Sequence, residues 1–261
     1  MTDRRTRSTG RALTVDLWHT LAYLEPEEEE RYMREQVDLA ASLLRRAPPG
    51  SGSPPEPDPR RTFEAVYAEA VAASQQGRSV TPSAQIEEAA RRLGRSVDPA
   101  EYLDGMAGLV ATMAFRPAPG ALAALRSVRE SGWACAVISN TVGEPGETLR
   151  PVLHQMGYDD VVDAYVFSDE QRWTKPAPEI FAEALRQVGA QAARSVHVGD
   201  GWVDIEGARR AGYRAAVLFT GLQRYGERYR RLFLPDGWEA PETSYRIGSW
   251  AELLPLLERL R

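Results

Sequence analysis

Residues 195–219 read SVHVGDGWVDIEGARRAGYRAAVLF. An apolar run reaches Gly199 and Asp200, a stretch of Asp, Glu, Ala and Arg at helical spacing follows and closes at Gly212, and a second apolar run ends at Phe219. Strand, helix and strand in so short a span make a βαβ unit. Its crossover is right-handed and its strands are parallel.

The same alternation extends in both directions. PGALAALRSVRESG (119–132) reads as a helix closed by Gly132, WACAVIS (133–139) as a buried strand bounded by NTVGEPG, and residues 145–156 as a helix. DAYVFS (163–168) reads as a strand, PEIFAEALRQVG (178–189) as a helix and SWAELLPLLERL (249–260) as a final helix. One further strand, at about 11–16, lies far ahead of the others. The expected fold is therefore α/β, a doubly wound parallel sheet, with polar residues collecting where such sheets bind ligands, at the carboxyl ends of the strands. Between the first strand and the rest, segments 27–46, 60–76, 83–93 and 98–115 are rich in Ala, Glu, Arg and Leu at helical spacing. Proline and glycine interrupt them most heavily in APPGSGSPPEPDP (47–59), read as a mobile loop. No internal repeat is visible.

Composition narrows the partners. The 261 residues are 43% hydrophobic and 26% charged with a net charge of −5, which gives no reason to expect nucleic acid or an anionic membrane. No run approaches the roughly 18 apolar residues of a membrane span. The twin arginine near the start is followed by an apolar stretch of a few residues that already contains Asp16, so a cytoplasmic protein is expected rather than an exported one. Cys135, the single cysteine, cannot form an internal disulfide and lies in an apolar run, where burial is expected. Of 32 basic residues, only Lys175 is a lysine. A chain that uses arginine wherever a plain positive charge suffices, and lysine once, points to a site that needs a compact ammonium.

Four strand ends carry candidate chemistry: Asp16; Ser139 with Asn140; Lys175 in TKPAPE; and Asp200 with Asp204 in VGDGWVDIEGARRAG. Each alone has a bland reading, as a turn, a solvated charge or a helix cap. In this order they resemble the four motifs of the haloacid dehalogenase (HAD) superfamily: a strand-end Asp, a strand-end Ser/Thr, a Lys before P-x-P, and GDxxxD leading into A-x-x-A-G. The resemblance covers residues 11–22 and about 116–250.

That resemblance implies phosphoryl transfer through an aspartyl intermediate at Asp16, on a small phosphorylated metabolite. Magnesium would be held by Asp16, the main-chain carbonyl of Trp18 and Asp200. Lys175 would balance the carboxylates and contact phosphoryl oxygens, Ser139 would donate hydrogen bonds to them, and Asp204 would orient its neighbours. Trp18, His19, Thr20 and Asn140 are the expected substrate contacts. Ser139 lies 123 positions after Asp16, whereas Lys175 follows Ser139 by 36 and Asp200 follows Lys175 by 25. Only the first interval can hold an inserted domain. A HAD core is therefore expected over 1–22 and 116–261, with a helical C1-type cap over 23–115, whose Arg31 and Arg34 are candidates to face the site. A monomer or a homodimer is compatible with all of this.

The sequence departs from the family at Trp18. HAD phosphatases carry a second Asp there as general acid and base, a contribution of about 10²–10⁴ in rate that an indole cannot make. The dehalogenases of the superfamily have Tyr there but lack the metal-binding GD, which this chain retains. Schiff-base chemistry of the phosphonoacetaldehyde hydrolase type needs a cap lysine, and the chain has none. P-type ATPases, with Thr there, keep a long-lived aspartyl phosphate. His19 is either a substitute acid–base or a structural or substrate contact. The readings that follow are a magnesium-dependent hydrolase with attenuated or altered proton transfer, a catalytically weak binding protein of the HAD fold, and, less favoured, a 2-haloacid dehalogenase.

Overall fold

The computed structural model describes residues 10–48, 58–223, 225, 237–241 and 244–260. The twin-arginine start and most of the proline-rich loop expected at 47–59 lie outside them.

Six parallel strands form the main sheet in the order β5 (Ala164–Phe167), β4 (Ala134–Ser139), β1 (Ala12–Val15), β6 (Val196–Gly199), β7 (Ala215–Phe219) and β8 (Tyr245–Ile247). β1 pairs with β4 on one side, Val15 opposite Val137, and with β6 on the other, Val15 opposite Val198. The winding therefore reverses at β1, and the residues just beyond the ends of β1, β4 and β6 are neighbours at the switch point where such sheets open a crevice.

The central strands are apolar on both faces because helices cover both. Alternation along β4 divides the sides: Cys135 and Val137 pack with Leu125, Leu149, Trp250, Leu253 and Leu256, while Ala136 and Ile138 pack with Ile180, Phe181, Ala184 and Ala208. The first set comes from α5 (Ala121–Glu130), α6 (Gly146–Gln155), α9 (Leu253–Arg259) and, for Trp250, the 3-10 turn Trp250–Glu252 before it, the second from α7 (Pro178–Val188) and α8 (Trp202–Arg210). The single cysteine is buried in this packing, as expected.

Between β1 and β4 the chain forms four helices, α1 (Pro26–Arg46), α2 (Pro59–Gln75), α3 (Pro82–Arg92) and α4 (Pro99–Thr112). Each begins with proline in its first turn, where the missing N–H has no intrahelical partner to lose, and Asp58, Thr81 and Asp98 cap the last three by accepting from backbone amides. The four enclose an apolar cluster of their own, including Leu44, Phe63, Ile86, Tyr102 and Met106. No helix among the described residues is long and apolar enough to cross a membrane.

Three elements were not anticipated. β2 (Ala22–Tyr23) and β3 (Arg116–Pro117) pair antiparallel where the chain enters and leaves the four-helix layer, and β8 extends the sheet edge. The last helix of the layer also stops at Thr112, short of the expected 115. A further link joins the layer to the sheet: Thr174 N donates to Gly77 O at 3.2 Å, and Ser79 donates through its amide to Arg172 O and through its hydroxyl to Ser168 O. Gly77 serves this seam, with φ +80° and room for a Cβ only 2.9 Å from Ala177 Cβ.

Gly207, inside α8, tests the packing on the second face. Alanine there would gain up to about 1 kcal/mol of helix propensity, but its Cβ would fall 2.3 Å from the buried Phe181 ring and 3.1 Å from Pro176 Cα. Overpacking should win, and urea denaturation of Gly207→Ala is expected to show a net loss of about 1–3 kcal/mol; a stabilised variant would contradict the packing described.

Candidate functional site

The switch point gathers the charged residues. Asp16 follows β1, Ser139 ends β4, Asp200 follows β6, and Asp204 stands in the first turn of α8. Lys175, before α7, is 1% exposed, and its ammonium donates to Asp16 Oδ1 and, at 2.7 Å, to Asp204 Oδ1. Asn140 holds the lysine in place, donating from Nδ2 to Lys175 O and accepting Lys175 N on Oδ1, both at 2.9 Å. Thr20, fully buried, donates to Asp16 Oδ2 at 3.3 Å. Of the expected substrate contacts, Asn140 and Thr20 thus spend these bonds on the lysine and the aspartate.

Behind Asp204 runs a buried chain. His197 Nε2 lies 3.1 Å from Asp204 Oδ1, and Thr14 Oγ1 lies 2.8 Å from His197 Nδ1 and 3.3 Å from the Tyr213 hydroxyl. Asp204 Oδ2 accepts the Gly201 amide at 3.0 Å, tying the helix start to the same carboxylate. Both Asp204 oxygens are therefore occupied within the protein. Ser139 Oγ is different: it is buried and has no hydrogen-bond partner among the described residues, the condition of a donor awaiting a ligand.

Electrostatics separate the carboxylates. Burial raises Asp204, but Lys175 and the bond from His197 overcome it and hold the carboxyl low, at about 2. Asp16 is pushed up to about 7, chiefly by burial and then by the charges of Asp204 and Asp200, against the pull of Lys175. Asp16, Asp200 and Asp204 each offer an oxygen within 4.8 Å of the others. An all-oxygen, strongly anionic group fits a hard divalent cation and no soft one.

Trp18 and His19 turn away from this cluster into the seam with α1. The Trp18 indole donates to Glu144 Oε1 at 2.6 Å and packs on Phe115 with ring centroids 5.2 Å apart. His19 takes a left-handed φ of 55°, rare for a residue with a Cβ, and its Nε2 lies 2.9 Å from Glu29 Oε1. Arg31 pairs with Glu28 and Glu35 on its own helix, and Arg34 lies on a groove of about 640 Å³ between α1 and α2. Neither arginine is placed at the carboxylate cluster. Nothing in the sequence singles out Glu144, Thr14, Tyr213 or His197; only the strand register brings His197 opposite Thr14.

The haloacid dehalogenase-like hydrolase profile matches residues 11–212. The chain belongs to that family. It is 32% identical over 141 residues to the pyrophosphatase PpaX of Halalkalibacterium halodurans, a match covering 54% of this chain and 60% of that protein. It is 37% identical over 110 residues to a glyceraldehyde 3-phosphate phosphatase of Methanothermobacter thermautotrophicus, covering 41% of this chain and 46% of that one. The chain thus spans about half the length of these relatives. Among solved structures, a 2-haloacid dehalogenase from Pseudomonas syringae superposes with a TM-score of 0.64 at 21% identity, covering 96% of this chain and 99% of that one, a likeness of fold.

The bond between Trp18 and Glu144 is a measurable quantity. A double-mutant cycle of Trp18→Phe and Glu144→Met, followed by urea denaturation, is expected to give a coupling of about 1–3 kcal/mol, because each single change strands a buried polar partner. Additive changes would mean that the contact adds nothing to stability.

Proposed function

We propose that the protein is a magnesium-dependent phosphohydrolase acting on a small phosphorylated metabolite through an aspartyl intermediate at Asp16. The observation that carries this reading is the bridge of Lys175 between Asp16 and Asp204 beside Asp200. Asp16, Asp200 and the main-chain carbonyl of Trp18 would hold the cation, which supplies neutralisation of the phosphoryl charge. Asp16 attacks phosphorus, the bond from phosphorus to the leaving oxygen breaks, and that oxygen takes up a proton from solvent; water then cleaves the aspartyl phosphate, which releases phosphate and returns Asp16 as a carboxylate. Lys175 holds the attacking carboxylate in place, and the unpartnered Ser139 hydroxyl donates to a phosphoryl oxygen. The layer α1–α4 acts as a cap that keeps water from the site.

Trp18 stands where the family places its proton-transferring Asp and its indole cannot transfer a proton, so leaving groups that depart without one should be favoured. The commitment of its indole to Glu144 also supports a second reading, a binding protein with weak hydrolysis. The acidic cluster argues against metal-free dehalogenation.

Turnover of p-nitrophenyl phosphate with magnesium, and its loss in EDTA, is the deciding experiment; no turnover would favour the binding protein. Asp16→Asn should reduce kcat by about 10³-fold or more, and Lys175→Arg by about 10²-fold, since a broad fork cannot replace a compact ammonium. Wild-type rates in either variant would sink the assignment.

Magnesium binding should depend on pH with a definite sign. The cation takes ionised Asp16, whose carboxyl without metal titrates at about 7. Apparent affinity should therefore rise by about tenfold per pH unit up to neutrality and level off above it. Calorimetric titrations at about pH 5.5, 6.5 and 8 test this, and a flat profile would contradict it.

A further inference from the structure

Residues 140–144, NTVGE, leave β4 directly after Ser139, and Asn140 holds Lys175 by two hydrogen bonds at 2.9 Å. Residues 141–144 make no hydrogen bond between main-chain groups among the described residues. A buried backbone must find its partners elsewhere, and here they are side chains. Thr141 is held from the sheet side by Ser168 and Asp169. The residues around it are held from the helical layer. Gln85 of α3 donates to Val142 O at 2.6 Å, Gln36 of α1 to Gly143 O at 2.9 Å, and Tyr32 of α1 to Glu144 at 3.4 Å. Ser74 of α2 reaches Asn140 itself: its hydroxyl accepts Asn140 Nδ2 and lies beside Thr174 Oγ1, both at 3.4 Å.

The two glutamines stand on helix faces that are otherwise apolar. Gln36 is 4% and Gln85 1% exposed, with Ala40 one turn beyond the first and Ile86 and Ala89 beside the second. A buried amide is costly unless its hydrogens are bonded. Gln85 commits both of them, the other to Val80 O at 3.1 Å. At Gly143 a Cβ would fall 2.8 Å from Gln36 Nε2, so the loop approaches that amide as closely as a residue without a side chain permits. Apolar side chains could fill the same space. What glutamine adds is a fixed orientation of two peptide planes, two and three residues beyond Asn140.

We propose that Gln36 and Gln85 are positioning residues for Lys175: acting through this loop and Asn140, the helical layer sets where the ammonium stands between Asp16 and Asp204. The inference rests on the phosphohydrolase reading of Asp16 for its kinetic consequence. Neither glutamine touches the reacting groups. A loop released from them carries Asn140 with it, and with Asn140 the lysine that holds the attacking carboxylate. Misplacement of such a group by about 1 Å costs up to about 10²-fold in rate.

Lys175 is the only lysine in the chain, so protein grown on isotope-labelled lysine shows one labelled backbone amide by NMR. That amide donates to Asn140 Oδ1, and its hydrogen exchange reports release from Asn140. Gln85→Met and Gln36→Met keep the side-chain length and remove the donor. Each should speed this exchange by about tenfold and lower kcat for p-nitrophenyl phosphate by about tenfold, with KM held within about threefold. Leu93→Ala opens a cavity in the helical layer's own core and controls for general loosening; exchange and kcat should both stay within about threefold of the unsubstituted protein. Unchanged exchange in the glutamine variants, faster exchange with unchanged kcat, or equal effects in Leu93→Ala would each overturn the inference. If neither glutamine variant folds, Ser74→Ala decides, since it removes one oxygen beside Asn140: exchange about threefold faster is expected, and unchanged exchange overturns. If the unsubstituted protein does not turn over p-nitrophenyl phosphate, the phosphohydrolase reading alone fails, and exchange at Lys175 still decides the positioning role.

Discussion

One buried ammonium organises the switch point. Asp16 and Asp204 come from different strand ends and are both shielded from water, and two such carboxylates side by side repel each other and forfeit hydration. Lys175 between them turns repulsion into two charge-assisted bonds. The surroundings keep it there: Asn140 fixes its main chain, and His197, with Thr14 and Tyr213 behind it, fixes Asp204. Arginine, used everywhere else in the chain, could not enter such a space without displacing a carboxylate.

The sheet was legible because central parallel strands are long apolar runs broken by helices that end on glycine, and WACAVIS and SVHVG show this without ambiguity. β2 and β3 have two residues each, too few for any periodicity to register. β8 was missed because only Ile247 of its three residues is buried; an edge strand with Tyr245 and Arg246 exposed reads as a polar loop. The expected helix at 98–115 overran because Met113 and Phe115 continue the apolar spacing after the backbone has turned, and Phe115 packs against Trp18 instead of closing a helical turn.

At the site, the residues that motif order singled out do converge: Asp16, Lys175 and Asp204 are linked by hydrogen bonds, with Asp200 close by. What order could not convey is how each side chain is spent. Asn140 and Thr20 sit at the positions expected of them, yet their bonds go to Lys175 and Asp16. Glu144 gave no signal, since a glutamate in a Pro- and Gly-rich loop reads as solvated; its contact with Trp18 spans 126 positions and is made only when β1 and β4 pair in the sheet. His197 alternates correctly for a core strand, so periodicity and function gave the same pattern.

The hydrogen bonds from residues 77–79 to 168–174 bear on how this molecule can move. A layer attached only through β2 and β3 would swing like a door on one edge. Attachment at a second edge makes the layer more like a bridge supported at both ends, and rotation about one edge then works against the other. The central span carries Tyr32 and Tyr67 against Trp18 and Glu144. Swinging the layer away from the sheet at the second edge would break its three hydrogen bonds, each worth about 0.5–1.5 kcal/mol net, besides the packing around them. Two phenols and an indole thus meet at the middle of the span, where large rings leave little space between layer and sheet.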